Sequence, residues 1–429
     1  MALSYSLNFK KFNLQGRLVL EKEGEVVFNR NHFRLKGKGA NDHGEVIHFT
    51  DIKEIRIEKD LMIFVTFSKD KWILSKFGTS FEQFLEDFYK LKNEFFVDNL
   101  FMKMGMLAGE FDCHAEMINQ FGKVINKGVS SIQFYEQSIV IIPKLADAFV
   151  IYLNFLKHHE FNEESYELKL ENDAGVKVII SKLGSHFEEA ESIMDMNLEK
   201  MYQKILSNLN LVFNGFPIQT LLKLAYMIRN GRCVSLQSLK KLDPSLAQKI
   251  LEVSFEGNNE LEQKIQFLRS MDDENELYLG MTFENNGSAY DVNIKAWYLC
   301  ALPNLNTIVI GKSNNPDENK SFFFRIVMEQ GDPKEKLPGK VLEVNQCMVL
   351  FDYDLSPIHK DKNELRKSKY RVALLRLAFL RLFRRSFLGY TDATNMETFK
   401  NKADRFFTQA KVLHKPVLRH RQIFKSTLK

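Results

Sequence analysis

A ten-residue segment of this chain occurs twice, and it limits the possible folds more than any other feature. Residues 73–82 (I-L-S-K-F-G-T-S-F-E) and 179–188 (I-I-S-K-L-G-S-H-F-E) are identical at six of ten positions. Each copy joins a strand-like run to an amphipathic helical pattern. Ser75 and Ser181 lie 106 residues apart (181 − 75), which is about the length of one small domain. The repeat therefore predicts two copies of one module.

Both copies have the same predicted order of elements, which is several short strands followed by one helix. In the first unit, short apolar runs, several of them alternating, predict strands at 17–20, 24–28, 32–36, 46–49, 52–58, 61–67 and 71–75. Its helix begins behind Ser80, a candidate N-cap, and places Phe81, Phe84, Leu85 and Phe88 at helical spacing. In the second unit the predicted elements are strands at 131–134, 138–142, 149–155, 166–171 and 176–181, and a helix at 187–206.

The segment 47–52 (I-H-F-T-D-I), followed by two strands, S-K-F-G and a helix, resembles the pleckstrin-homology-like (PH-like) superfold. It looks like the version found in an uncharacterised family of bacterial proteins with tandem PH-like domains. Residues 278–280 (Y-L-G), 296–303 (A-W-Y-L-C-A-L-P) and 365–389 also resemble that family. The resemblance implies an α+β chain with tandem small antiparallel barrels, each closed by a C-terminal helix. It implies no catalytic activity.

The rest of the chain predicts a helical segment and a third α+β region. We expect PH-like repeats at 1–100 and 101–210, a helical segment at 211–272, a third α+β domain at 273–410 and a basic tail at 411–429. Asp243-Pro244 is a helix start, and 221–242 has the form of a helix-turn-helix. Predicted strands of the third region are 277–283, 294–301, 307–312, 321–328 and 348–353, with an exposed loop at 331–339. Whether this region is a further PH-like copy stays open.

Charge is distributed unevenly along the chain. Residues 361–429 contain 18 Lys/Arg and 5 Asp/Glu, a balance of +13, which leaves −8 for the residues before them because the whole chain carries +5. A basic end on an acidic body suggests either an anionic partner or an internal docking surface. The candidate anion- or partner-binding residues are Arg366, Lys369, Arg376, Arg381, Arg384, Arg385, Lys415, Arg419, Arg421 and Lys425.

Two interpretations of the arginine-rich segment compete. As one helix over 366–388, it places arginines on one side and apolar residues on the other, which suits an anionic membrane, a phosphate backbone or an acidic groove. Leu374, Leu377 and Leu380 nevertheless fall among the arginines. Such a mixed face favours a packed helix whose arginines extend outward or pair with the acidic body. For the tail, a solvated end is the competing interpretation.

Motifs for chemistry are weak throughout. Gly37-x-Gly39 does not lead into a helix, and the acidic and histidine-containing clusters at 112–116 and 158–160 have no second cluster to complete a metal site. Arg34, Lys36 and Lys38 alternate on one strand, as in a lipid-headgroup site, but Glu21, Glu23 and Glu25 are expected to offset their charge. We predict no catalytic residue, cofactor or metal.

Compartment and function follow from these observations. The four cysteines are far apart, and neither a signal peptide nor an apolar run of about 18 residues is present, which predicts a cytoplasmic protein. The leading hypothesis is a non-enzymatic interaction or scaffold protein whose partner is another protein, bound at a sheet edge or in a groove beside a closing helix. The alternative is an anion-binding protein that uses its basic C-terminal region on nucleic acid or an acidic membrane surface.

Overall fold

The computed structural model describes residues 3–39, 42–255, 258–285, 292–312, 320–366, 370–393 and 395–412. The chain is mixed α+β, with 41% helix, 36% strand and curled antiparallel sheets. Three sheets account for all the strands of this described part.

The first sheet has seven antiparallel strands in the order β4-β3-β2-β1-β7-β6-β5 and is closed by helix α1. The helix buries Phe81, Phe84, Leu85 and Phe88, which recur at the helical spacing that the sequence predicts. Its elements are β1 (Ser4–Phe12), β2 (Leu18–Phe28), β3 (His32–Gly37), β4 (Glu45–His48), β5 (Ile52–Glu58), β6 (Leu61–Thr66), β7 (Lys71–Ser75) and α1 (Phe81–Asn99).

The second sheet repeats this order strand for strand, as β11-β10-β9-β8-β14-β13-β12, and is closed by α2. Its elements are β8 (Leu107–Ile118), β9 (Val124–Tyr135), β10 (Ser138–Pro143), β11 (Phe149–Tyr152), β12 (Leu156–Asn162), β13 (Glu167–Asn172), β14 (Lys177–Ser181) and α2 (Phe187–Val212). The duplicated strand-to-helix junctions at Ser75 and Ser181 therefore occupy equivalent places in two equivalent sheets.

A second pair of matched turns has the same spacing as the junctions. The Asn13 side-chain oxygen accepts hydrogen bonds from the backbone N–H groups of Gln15 and Arg17, each at 3.0 Å. Asn119 does the same for Phe121 and Lys123, also at 3.0 Å. Since 119 − 13 is again 106, the motif N-x-x-G-[R/K] is a second repeat signal in the sequence.

Several local predictions for the repeats were incomplete or wrong. The predicted strand at 149–155 ends at Tyr152, where a 3₁₀ turn begins, and strand β12 after this turn was missed. The first strand of each sheet, β1 and β8, was missed, because neither is rich in β-branched residues and both are stabilised by pairing on two sides. Residues 17–20 and 24–28 form one long strand, β2. Ser80 stands at the N-cap of α1, but its side chain makes no capping hydrogen bond.

The third sheet is a six-stranded antiparallel sheet in sequential order from β15 to β20. It differs from the seven-stranded order, so this region is not a third copy of that arrangement. Its elements are α3 (Ile218–Ile228), β15 (Cys233–Ser235), α4 (Leu236–Leu242), α5 (Pro244–Phe255), α6 (Asn259–Ser270), β16 (Glu276–Asn285), β17 (Val292–Leu302), β18 (Thr307–Lys312), β19 (Ser321–Arg325), α7 (Pro333–Leu350), α8 (Ser356–His359), α9 (Lys362–Arg366), α10 (Arg371–Arg376), α11 (Ala378–Ser386), β20 (Phe387–Thr391) and α12 (Met396–Lys411).

Both faces of this third sheet are buried, which explains the continuous apolar run 296–303. Tyr298 and Cys300 face a core shared with α2 to α6 and α12. Trp297 and Leu299 face the opposite core, which continues into the first repeat. The segment between α3 and α4 is not a simple helix-turn-helix, because β15 intervenes and pairs with β16.

Helix α7 corrects the prediction of a loop at 331–339 and a strand at 348–353. The carboxylate of Asp332 accepts the Lys334 N–H at 2.9 Å, and Pro333 occupies the first helical position, where its missing N–H costs little. Val344 and Met348 are buried at helical spacing. Proline and glycine near the start of α7 led to the prediction of a loop. The helix forms nevertheless, because it buries Val344 and Met348.

The acid stability of the loop between β3 and β4 provides a first testable prediction. Asp42 accepts Lys22 Nζ at 2.6 Å and the N–H groups of Gly37 and Gly44 at 2.8 and 2.9 Å. These contacts lower the pKa of Asp42 to about 2, from its ordinary value of 3.8. A lowered folded-state pKa stabilises the fold above the ordinary value, and that stabilisation is lost as pH falls toward 2.

We therefore expect Asp42→Asn to lower the free energy of unfolding at pH 7, and the difference from the natural protein to shrink between about pH 4 and pH 2. Urea unfolding across this pH range measures it. A difference that stays constant down to pH 2 would show that Asp42 is not ionised in these contacts.

Candidate interaction surface

The arginine-rich segment is not the single helix that the sequence predicts for 366–388. Leu377 adopts an extended conformation between α10 and α11, with ψ at 111°, and β20 begins at Phe387. Ala373 on α10 and Leu380 and Phe383 on α11 are all fully buried, so both helices pack against the core.

Arg376 joins the C-terminal half to both repeats. Its Nη1 donates to the backbone carbonyl of Ile52 in the first repeat, and its Nη2 lies 3.4 Å from a carboxylate oxygen of Asp147 in the second. The guanidinium stands 4.6 Å from the ring centre of Phe96. Only 14% of the side chain is exposed, and this burial lowers the pKa of Arg376.

Lys92 contacts the same carboxylate, Asp147, as Arg376 does. Its ammonium group donates to Asp147 and lies 5.4 and 5.6 Å from the ring centres of Tyr89 and Phe96. Burial lowers the pKa of Lys92, and the charge of Asp147 partly offsets that effect. One carboxylate therefore pairs with two cations at the point where the two repeats and the C-terminal half meet.

The second repeat also binds an arginine, at the backbone carbonyl of Leu156, which is equivalent to the carbonyl of Ile52 in the first repeat. Arg229 Nη1 donates to the carbonyl of Leu156, and Arg232 Nη1 lies 2.8 Å from Asp173. Leu156 and Ile52 are each the first residue of an edge strand that follows a 3₁₀ turn, and each lies at a β-bulge. The bulge interrupts the ladder there and makes a carbonyl available in both repeats.

The structure separates the sequence-predicted site residues into three groups. Arg381 donates to the carbonyl of Leu375 at 2.7 Å, and Arg384 donates to those of Pro357 and Lys360 at 2.5 and 3.0 Å. Arg385 is exposed and makes no hydrogen bond or ion pair with the described residues. The side chain of Arg366 and the residues Lys369, Lys415, Arg419, Arg421 and Lys425 lie outside the described part of the structure.

A groove lies between the two repeats, and we call it the inter-repeat groove. It encloses about 840 Å³ between the outer face of α1 and strands β8 to β10. Asn93 holds the walls together: its amide donates to the carbonyls of Ala146 and Pro143 at 2.9 and 3.2 Å and accepts the Ala148 N–H at 2.9 Å. The two repeats therefore form one continuous concave surface.

The inter-repeat groove is acidic. Six carboxylates and four basic side chains line it. Asp98 is neutralised by Lys103 at 2.5 Å, and Glu86 is paired with Lys144 at 2.8 Å. Glu94 on α1 and Asp112 on β8 are exposed, and neither forms an ion pair or a side-chain hydrogen bond within the described part of the chain. Both walls thus carry an unneutralised negative charge.

The sequence alone does not predict this groove. On α1, Glu86, Lys90, Glu94 and Asp98 recur every four residues and form one polar helix face. That periodicity is visible in the sequence, but it is also typical of any solvated helix. Only the packing of the second repeat against α1 converts this face into a wall.

Two further surfaces carry charge or exposed apolar area. Lys38 is paired with Glu23 at 2.5 Å, and Lys36 lies opposite Glu25 across the ladder, so the expected offset is confirmed for these two lysines. Glu21 instead pairs with Lys10, and Arg34 lies opposite Val27. The hairpin between β8 and β9 exposes 83% of Phe121 and 53% of Ile125. Its equivalent between β1 and β2 exposes 52% of Leu14. These hairpin tips extend apolar side chains into water.

Comparisons with known proteins leave the family of this chain open. No protein-family model matches it, and a search of curated proteins finds no match. Among the described residues, no group of three or more His, Cys, Asp and Glu side chains is arranged to hold a metal ion. In the same residues, every helix is too short or too polar to cross a bilayer.

Proposed function

We propose that this chain is a non-catalytic interaction protein, built from two PH-like modules, that binds a positively charged segment of a partner protein in the inter-repeat groove. The observation that carries the proposal is that the two walls of the inter-repeat groove come from different repeats. Helix α1 belongs to one repeat and β8 to β10 belong to the other. The site exists because the module is duplicated. The shared strand order and closing helices support the PH-like assignment.

The chemistry of the groove favours a cationic, partly apolar segment. Glu94 and Asp112 attract lysine or arginine from two sides, while Val129 is 53% exposed and Ile142 is partly buried on the same surface. An exposed ion pair contributes only about 0.2–1 kcal/mol. Binding therefore depends on several such pairs together with apolar contact.

Selection of displayed peptides on the full-length protein tests this proposal. We expect enrichment of basic sequences, and we expect the affinity of a selected peptide to fall about tenfold or more in Glu94→Lys/Asp112→Lys, because two attractive charges become repulsive. Glu163→Lys/Glu164→Lys is the matched control. Both glutamates are exposed in the loop between β12 and β13, at the opposite edge of the second sheet from β10.

Selection of neutral or acidic peptides would contradict the proposal. Equal affinity of a selected basic peptide for the natural protein and the groove variant would also contradict it.

A second candidate function is binding to an acidic membrane surface, which the exposed hairpin tips favour. Lys123 adjoins Phe121 at the tip, and aromatic side chains with neighbouring cations suit the interface of an anionic bilayer. Sedimentation with phosphatidylserine vesicles should then fall in Phe121→Ser. Binding of nucleic acid through the basic C-terminal region stays a prediction from the sequence.

A further inference from the structure

We infer that the inter-repeat groove has an intramolecular occupant, which is the chain's own C-terminal segment, residues 413–429. This inference rests on the proposed function, because it assigns to the same groove a segment that competes with the partner. It is carried by the charge of the groove, the composition of the segment and the length of chain that follows α12.

The composition of the segment complements the groove. Residues 413–429 contain five lysines and arginines and no acidic residue. Aliphatic and aromatic residues alternate with them in V-L-R-H-R-Q-I-F-K at 417–425. The groove offers the matching surface, with the unneutralised Glu94 and Asp112 on its two walls and the half-exposed Val129 between them.

The segment has a long reach from a fixed starting point. The end of α12 is fixed on the third sheet, because Asn306 donates to the Ala410 carbonyl at 3.0 Å and Arg325 donates to the Gln409 carbonyl at 2.8 Å. The 17 residues after Val412 (429 − 412) span up to about 55–60 Å when extended. That is roughly the diameter of a compact chain of 429 residues.

Tethering makes a weak contact effective. A segment attached to the same chain binds at an effective concentration of about a millimolar, so a modest affinity already fills the groove. A partner must then displace the segment, and its apparent affinity falls in proportion to the fraction of free groove. The basic tail thereby becomes a regulator of the interaction.

Distances between two spin labels in the full-length chain test this inference. The four native cysteines are buried, so labels attach to cysteines introduced as Glu82→Cys on α1 and Ser426→Cys in the segment. Glu82 is exposed. We expect a short, narrow distance distribution in the natural background. The distribution should broaden in Glu94→Lys/Asp112→Lys and at about 1 M salt, where charges are screened within about 3 Å. It should stay narrow in Glu163→Lys/Glu164→Lys.

Three outcomes would overturn the inference. A broad distribution in the natural background shows that the segment is not docked, and a narrow one that survives the groove substitutions shows that it docks elsewhere. A narrow distance that disappears on dilution with unlabelled protein shows that the segment reaches a second copy. The proposed function fails separately, since selected basic peptides can bind the groove whether or not the tail occupies it.

Discussion

Replacement of Arg376 by alanine is expected to lower the stability of the junction by about 3 kcal/mol. The substitution leaves the Ile52 carbonyl without its donor, removes a cation from Phe96 and leaves Asp147 with Lys92 alone. A buried acceptor left without its donor costs about 1–3 kcal/mol, and loss of the arginine stem that packs on Phe96 adds to that cost. The lost contact with Asp147 adds little, because the Asp147 side chain is 51% exposed.

The effect should be largest where the units meet. Hydrogen exchange of peptides that cover β5 and α10 should accelerate, and the first urea transition should move to lower concentration. Arg376→Lys should recover only part of the loss, because a lysine ammonium group cannot donate as a planar fork to a carbonyl and a carboxylate. Arg385→Ala is the matched control in the same segment, and its effect should be below about 0.5 kcal/mol. Equal effects of Arg376→Ala and Arg385→Ala would contradict the docking role of Arg376.

Replacement of Gly231 by alanine is expected to cost more than about 3 kcal/mol. Gly231 has a φ of +110°, and a Cβ there would lie 1.4 Å from the hydroxyl oxygen of the buried Tyr353. Its carbonyl also accepts the indole N–H of Trp297 at 3.0 Å. Backbone strain alone costs about 1–3 kcal/mol, and displacement of buried side chains adds to it.

This glycine matters because of its neighbours. Arg229 and Asn230 also have positive φ values. The chain reverses over these three residues, directly before Arg232, and Arg229 and Arg232 both bind the second repeat. Gly339→Ala is the matched control, since Gly339 is exposed in α7 with open space around its Cβ position. It should raise stability by about 0.5–1 kcal/mol. A Gly231→Ala protein that unfolds like the natural one would contradict the described geometry.

The two copies were predictable from the sequence because the same strand-to-helix pattern occurs twice, and each occurrence supports the prediction from the other. Residues 73–82 and 179–188 signal the same junction twice, and the structure places both in sheets of identical strand order. Strands β1 and β8 were not predictable, because their stability comes from neighbours on both sides. Helix α7 was hidden by Pro338 and Gly339, which usually end helices.

The candidate site was less predictable than the fold. Arg376 was selected for its charge, but its partners, Ile52 and Asp147, are remote in sequence and belong to two different repeats. Glu94 and Asp112 fall in local patterns, a polar helix face and the cluster 112–116, but neither pattern indicates a groove, because an exposed acid on a helix or strand is ordinary. Contacts between residues that are remote in sequence determine which charges are neutralised, and the periodicity of the sequence carries no information about such contacts.

Hydrogen exchange of the full-length protein with and without a selected basic peptide tests the central claim most directly. The account predicts that the peptide protects the outer face of α1 and strand β9 together, since these two elements from different repeats form one groove. Protection confined to the edge strands β5 or β12, or to the hairpin tips, would contradict it.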